Sequence, residues 1–357
     1  MITTAPLPPL SALLGLGSGR SQPLAPWLRA GEQGWMLSRS CWSLALMAER
    51  AAARLGRPPR VALPAWFCAA SLVPLRRLGA ELAFLPVDTA GTADWSRAEG
   101  ADMVVAVHTF GRRADLSGFR AAAPLAVEDC AHVLVPAPGI GETGDAVLYS
   151  PHKLLGLPEG AVLVLRDGTL SGDLARKLAA LPPAPASCSW RIKRLIQTLL
   201  PDRLRTRLPP VGQPSHDADP ALGEPAPLCA PSPLAAHLLA SADLEREAAR
   251  RRANALALRR AVAEVPGVRP FFREDGHAPY RFVLKAADAL RAAALYHRLR
   301  QARLPVETWP DVVPEVAAEP DRYGAAMELR RTILLLPVHG ALSPVFAHRY
   351  AEAFHGA

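Results

Sequence analysis

Short, uninterrupted apolar runs recur along this chain, and they restrict its fold more than any other feature. Val61-Ala62-Leu63, Met103-Val104-Val105-Ala106-Val107, Leu125-Ala126-Val127, Ala146-Val147-Leu148 and Ala161-Val162-Leu163-Val164-Leu165 are the clearest. A strand covered on both faces needs apolar residues at both parities. Runs of this kind therefore predict a mostly parallel sheet with helices on each side. The sequence predicts strands at 60–64, 81–87, 103–108 and 125–129, and helices at 40–55 and 69–78. Strand and helix alternate, which predicts an α/β fold.

Residues 1–30 are rich in Pro and Gly and read as an N-terminal arm. A large α/β domain is expected over 31–235, interrupted by an insertion at about 168–232. That insertion contains the basic, apolar run SWRIKRLIQTLLPDRLRTRL, which admits a place on a membrane surface or over an anionic substrate and is expected to form a solvated lid or insertion. A long helical pattern over 234–265 leads into a small C-terminal α+β domain, 236–357. Strands are expected there at 280–284 and 332–336, with a helix at 286–302.

The formal charge is +8, carried mostly by arginines spread along helical stretches. Without a recognition motif, this describes a basic surface, and no nucleic-acid partner is expected. Cysteines 41, 68, 130, 188 and 229 form no C-x-x-C pair, so free thiols in a reducing compartment are expected. The opening residues lack a charged segment followed by a long apolar one, so no signal peptide is expected. No stretch reaches the roughly 18 apolar residues of a membrane span. A cytoplasmic protein without membrane contact is the expectation.

In α/β sheets, functional groups collect beyond the carboxyl ends of the strands. Three such ends carry His108, then Glu128-Asp129-Cys130-Ala131-His132, then Ser150-Pro151-His152-Lys153. These residues suit pyridoxal phosphate (PLP) chemistry, with a lysine for the cofactor aldehyde and an aspartate for the pyridinium nitrogen. They also admit a metal site using His108, His132 and a cysteine or carboxylate, although lysine has no part in that and no metal is expected. Satisfied core histidines and a capping aspartate on a binding module are the third reading.

The order of the segments distinguishes among these. VHTFGRRADL (107–116), VEDCAH (127–132), TGDAVLYSPHK (143–153) and LPEGAVLVL (157–165) resemble consecutive blocks of the DegT/DnrJ/StrS-type sugar aminotransferases. So do VALPAWFCAASLVPLRRLGAELAFLPVD (61–88), LSRSCWSLAL (37–46) and LPVHGALS (336–343). The resemblance covers roughly 35–350 and implies a fold type I PLP-dependent transferase, working as a homodimer. Residue by residue, it makes Lys153 the Schiff-base lysine and Asp129 the pyridinium partner. It places His132 on the cofactor's ring oxygen and Ser150 on the phosphate. Ser40 and Cys41 fall at the phosphate turn, and Trp66 at the position that stacks on the ring. The implied reaction moves an amino group from an amino acid, with glutamate the usual donor, to a keto sugar carried on a nucleotide.

Three departures define a variant branch. Ser150 precedes Lys153 by three positions, a shorter separation than the usual one. Acid-Gly-Gly has become Glu159-Gly160-Ala161. The family's N-x-R segment is replaced by PLCAPSPLAA (227–236). Two alternatives remain open from the sequence. One is other PLP chemistry, such as sugar dehydration or a cysteine-desulfurase-like reaction, which the S-x-H-K arrangement resembles locally. The other is a scaffold protein that keeps the fold without catalysis.

Overall fold

The computed structural model describes residues 5–16, 19–166, 172–185, 188–199, 216, 223–309, 311–343 and 345–355. Its main sheet has seven strands: β1 (Gln33–Leu37), β2 (Arg60–Pro64), β3 (Glu81–Leu85), β4 (Met103–Val107), β5 (Leu125–Cys130), β6 (Ala146–Tyr149) and β7 (Ala161–Leu165). Their order is β1-β7-β6-β5-β4-β2-β3. From β6 to β3 all neighbours are parallel, while β7 runs antiparallel to both β6 and β1.

The apolar runs are buried at both parities for the reason read from the sequence. Val105, Val127, Leu148 and Leu163 enter a core shared with the Cys41–Leu55 helix. The alternate residues Val147 and Val162 pack on the other face with Trp27 and Leu238, while Val104 and Ala126 join Trp95 and Phe119. Strand pleating sends adjacent residues to opposite faces. It therefore also separates Glu128 from Asp129, which points to the side of Val127.

A second, antiparallel sheet of β8 (Val268–Pro270), β9 (Arg281–Ala286) and β10 (Ile333–Pro337) has the order β10-β9-β8. It packs with the Leu244–Ala261, Ala289–Gln301 and Phe346–His355 helices through Leu258, Leu295, Leu299, Tyr350 and Phe354. The expected 234–265 helix is two helices, Pro233–Ala240 and Leu244–Ala261. Asp243 starts the second by accepting the Arg246 N–H at 3.0 Å. The expected 69–78 helix is a 3-10 turn, Ala69–Leu72, followed by the Val73–Arg77 helix, whose first turn accommodates Pro74.

Residues expected to form an arm are packed in place. The Trp27 indole is buried and donates to the Leu134 carbonyl at 3.0 Å, and Arg20 donates to the carbonyls of Leu239 and Ala242. Of the 168–232 stretch, the Gly172–Ala179 and Cys188–Leu199 helices are described, and the rest of the basic run, 200–208, lies outside the described residues. No described helix is long and apolar enough to cross a membrane.

Candidate active site at the ends of β5 and β6

Asp129 is the penultimate residue of β5 and only 7% exposed. One carboxylate oxygen accepts the Ala131 N–H at 2.8 Å. Burial pushes its pKa up, against the opposing pull of the nearby Lys153 charge and that hydrogen bond. It is thus a carboxylate removed from water with little local compensation, which a cation placed above it would stabilise. Lys153 comes from the adjacent strand end, on the short Pro151–Leu154 helix that leaves β6.

His132 lies between them in the turn after β5. Its Nδ1 accepts the Phe110 backbone N–H at 3.2 Å, so the ring proton resides on Nε2, 3.5 Å from Lys153 Nζ. Burial, reinforced by the charges of Lys153 and Arg281, drives its pKa well below the usual histidine value. The ring is therefore neutral, with its Nε2 edge facing the lysine nitrogen.

Two aromatic rings fix the plane of that imidazole. Tyr280 stacks on it with centroids 4.4 Å apart and planes 3° apart, and Phe110 lies near-parallel at 5.7 Å. Phe110 reaches this place through a left-handed backbone, φ 57°, which is costly for an aromatic residue and is held by the surrounding contacts. Arg281 lies 4.1 Å from the centre of the Tyr280 ring and pairs with Glu307 at 2.6 Å. Trp66 is buried in the same aromatic group, 4.8 Å from Trp309 and 5.7 Å from Phe110. Its indole N–H is buried without a partner among the described residues.

Two serine hydroxyls meet at the start of the lysine-bearing helix, which Ser150 precedes. Ser40 and Ser150 are both buried, with their Oγ atoms 3.1 Å apart. His152 Nδ1 contacts the Gly160 carbonyl at 2.9 Å and Ser150 Oγ at 3.1 Å. Because a carbonyl only accepts, Nδ1 carries the proton, and Ser150 keeps its own hydrogen to donate. Burial and the Arg39 charge lower His152 to about 3.

The Cys41–Leu55 helix begins here with no side-chain cap and no acid in its first turn, which leaves its positive end open to an anion. Cys41 is its first residue, and burial raises the thiol's pKa, so the side chain stays protonated. The PLCAPSPLAA stretch lies alongside this turn. The Cys229 carbonyl accepts the Ser38 N–H at 2.8 Å, and Glu159 accepts the Ser232 N–H at 3.0 Å.

His108 and Glu128 belong to the opposite face of β5. Their side chains meet at 2.7 Å and are wholly buried. Glu128 also accepts the N–H groups of Gly141, Thr143 and Gly144, while His108 Nδ1 accepts the Ala114 N–H. Burial works against the Glu128 charge, yet His108 and the backbone donors hold its pKa at about 2. The two residues pin the 141–144 loop and the chain after β4. With Cys130 they form a group close enough for a metal, but the histidine nitrogens and the carboxylate are already committed to these bonds.

Arg251 is a site component that sequence reasoning missed. It is wholly buried, with its guanidinium bonded to Glu247 at 2.7 Å, to the Pro279 and Tyr280 carbonyls at 3.1 Å each, and to the Leu154 carbonyl at 2.5 Å. It thus ties the lysine-bearing helix to the backbone of the tyrosine that stacks on His132. In the sequence it is one of several arginines on a helix, with nothing local to distinguish it. Phe110 and Tyr280 were legible only as parts of a motif and a strand, because their contact with His132 arises from tertiary packing.

No protein-family model matches the chain, and no curated protein sequence does. Solved structures do. The sugar aminotransferase CalS13 from Micromonospora echinospora is 20% identical and aligns over 99% of both chains with a TM-score of 0.65. The aminotransferase TlmJ from Streptoalloteichus hindustanus is 21% identical, over 99% of this chain and 97% of its own, with a TM-score of 0.69. Spr1654 from Streptococcus pneumoniae, solved in a PLP form, is 15% identical, over 99% and 97%, with a TM-score of 0.69. The likeness spans nearly the whole chain and establishes its fold as theirs, the fold type I α/β architecture expected from the sequence.

Proposed function

We propose that this protein is a PLP-dependent aminotransferase that moves an amino group from an amino acid, with glutamate as the donor, to a keto sugar carried on a nucleotide. The observation that carries the reading is the arrangement of Lys153, neutral His132 and buried Asp129 at two adjacent strand ends of this fold. The residues present fit the cofactor. Asp129 is a buried carboxylate with one hydrogen bond, suited to a protonated ring nitrogen. The uncapped helix start, Arg39 and the Ser40–Ser150 pair suit a phosphate. The resemblance of the motifs and the sugar aminotransferase fold support the same assignment.

When bound, PLP supplies an aldehyde that accepts the amino group and a ring that withdraws electrons. The chain's residues do the rest. Lys153 would hold the aldehyde and, as a free amine, would move a proton at Nζ to and from the substrate carbon. His132 Nε2–H would donate to the ring oxygen, from an imidazole plane fixed by Tyr280 and Phe110. Asp129 would supply a negative charge to a protonated ring nitrogen, the electrostatic stabilisation that promotes proton removal. Trp66 and its aromatic neighbours form an apolar wall that limits water. Assembly as a homodimer and a cytoplasmic location follow from the same reading.

Single-turnover reaction with donor amino acids tests the assignment. Glutamate is expected to convert the PLP form to the pyridoxamine form without a keto-sugar acceptor, and cysteine to give no release of sulfide. Sulfide release, or no conversion by any amino acid, refutes it.

A further inference from the structure

The Cys188–Leu199 helix carries an apolar stripe on its outer side. Ile192, Ile196 and Leu199 are 61%, 56% and 61% exposed, and no side chain of the helix is buried. Their spacing of four and three residues places them within one narrow arc of the helix surface. A solvated insertion would present polar residues in that arc. Arg191 Nε donates to the Leu13 carbonyl at 2.9 Å, which brings the helix beside Leu14 and Leu16, themselves 47% and 61% exposed. The charges on this helix have one sign. Arg191, Lys193 and Arg194 are basic, Lys193 is exposed, and there is no acidic residue from 188 to 199.

We infer that this face docks the protein on an anionic lipid surface, with the isoleucines and Leu199 entering the acyl boundary and the basic side chains among the headgroups. Charge complementarity selects this occupant. A two-fold contact centred on this helix sets it against its own copy, so the cations of one helix would face those of the other with no acid on either helix to offset them. An anionic membrane meets the apolar stripe and the positive charge together. Arg191 and Lys193 flank the stripe, while Arg194 lies on the far side of the helix over the Trp190 ring, and two cations with a few apolar side chains give reversible attachment that weakens with salt. The inference is independent of the chemistry at Lys153 and departs from the solvated insertion expected from the sequence.

Sedimentation of the full chain with vesicles tests it. Binding is expected to vesicles of phosphatidylcholine with phosphatidylglycerol and not to phosphatidylcholine alone, and to fall with added salt. I192S/I196S is expected to bind about tenfold or more weakly, with its circular dichroism unchanged. K193E, at an exposed position, is expected to reduce binding and its dependence on salt. Absence of binding to phosphatidylglycerol vesicles overturns the inference, as does undiminished binding by the serine variant. Loss of self-association in that variant, without vesicle binding by the parent protein, assigns the face to a contact between copies and also overturns it.

Discussion

Replacing Arg251 by methionine keeps most of the side chain's volume and removes its hydrogen bonds. The Leu154 and Pro279 carbonyls then lose their donor, the Tyr280 carbonyl keeps only that from Arg281, and Glu247 loses its charged partner. A buried polar group left unpaired costs about 1–3 kcal/mol, and breaking a buried ion pair about 3–5 kcal/mol. Glu247 retains its contacts with the Gly340 N–H, and local relaxation readmits some water. The net destabilisation is expected to be about 3–5 kcal/mol, a drop in melting temperature on the order of 5 °C for a chain of this size. Because the same guanidinium positions the lysine helix and Tyr280, PLP uptake should weaken under conditions where the variant remains folded. Arg251→Lys should recover part of the stability, since one ammonium cannot span carbonyls on two segments. Urea unfolding and PLP titration, both well below the melting temperature, measure the two effects. A loss of stability below about 1 kcal/mol refutes the clamp, given the cost of even one unpaired carbonyl. Wild-type PLP affinity in a destabilised variant refutes its connection to the site.

Glu128→Gln should remove a pH-dependent part of the stability. The Glu128 carboxyl is held at about 2 in the folded chain, against an ordinary value of 4.5. This depressed value contributes about 3 kcal/mol above pH 4.5, lost as the pH falls from there toward 2. Urea midpoints across that range should slope steeply for the parent chain and less for the variant; equal slopes contradict the depressed pKa of the buried Glu128 carboxyl. His132→Phe keeps an aromatic ring between Tyr280 and Phe110 but has no N–H. Turnover is expected to fall about 10–100-fold, the loss of one hydrogen bond to a charged partner, and the Phe110 N–H left without its acceptor is expected to cost about 1–3 kcal/mol of stability. Unaltered steady-state turnover contradicts the assigned donor.

The sheet was largely legible because a strand buried on both faces leaves an apolar run, as in β4 and β7. β1 escaped because Gln33–Leu37 is an edge strand with mixed exposure and a short, polar-edged sequence. The break between the helices at 233–240 and 244–261 was present in Ser241-Ala242-Asp243, whose capping signal competes with a continuous helical pattern. Asp129, His132, Ser150 and Lys153 were legible because strand ends and motif order placed them together, and the structure brings them to one region. The orientation of His132 was not. It depends on Phe110 with its left-handed backbone, on Tyr280 more than a hundred residues away, and on the clamp by Arg251. These are long-range contacts with no periodic signal. The exposed side of the 188–199 helix was ambiguous because the run is amphipathic, and its pattern alone does not identify which face the rest of the protein covers.

The central claim is that Lys153 is the residue that carries the cofactor, and borohydride trapping tests it most directly. Protein incubated with PLP and reduced should yield one dominant modified peptide containing Lys153, while Lys153→Ala should remain folded and yield none. Labelling spread over surface lysines, or equal capture by the Lys153→Ala variant, would contradict the account.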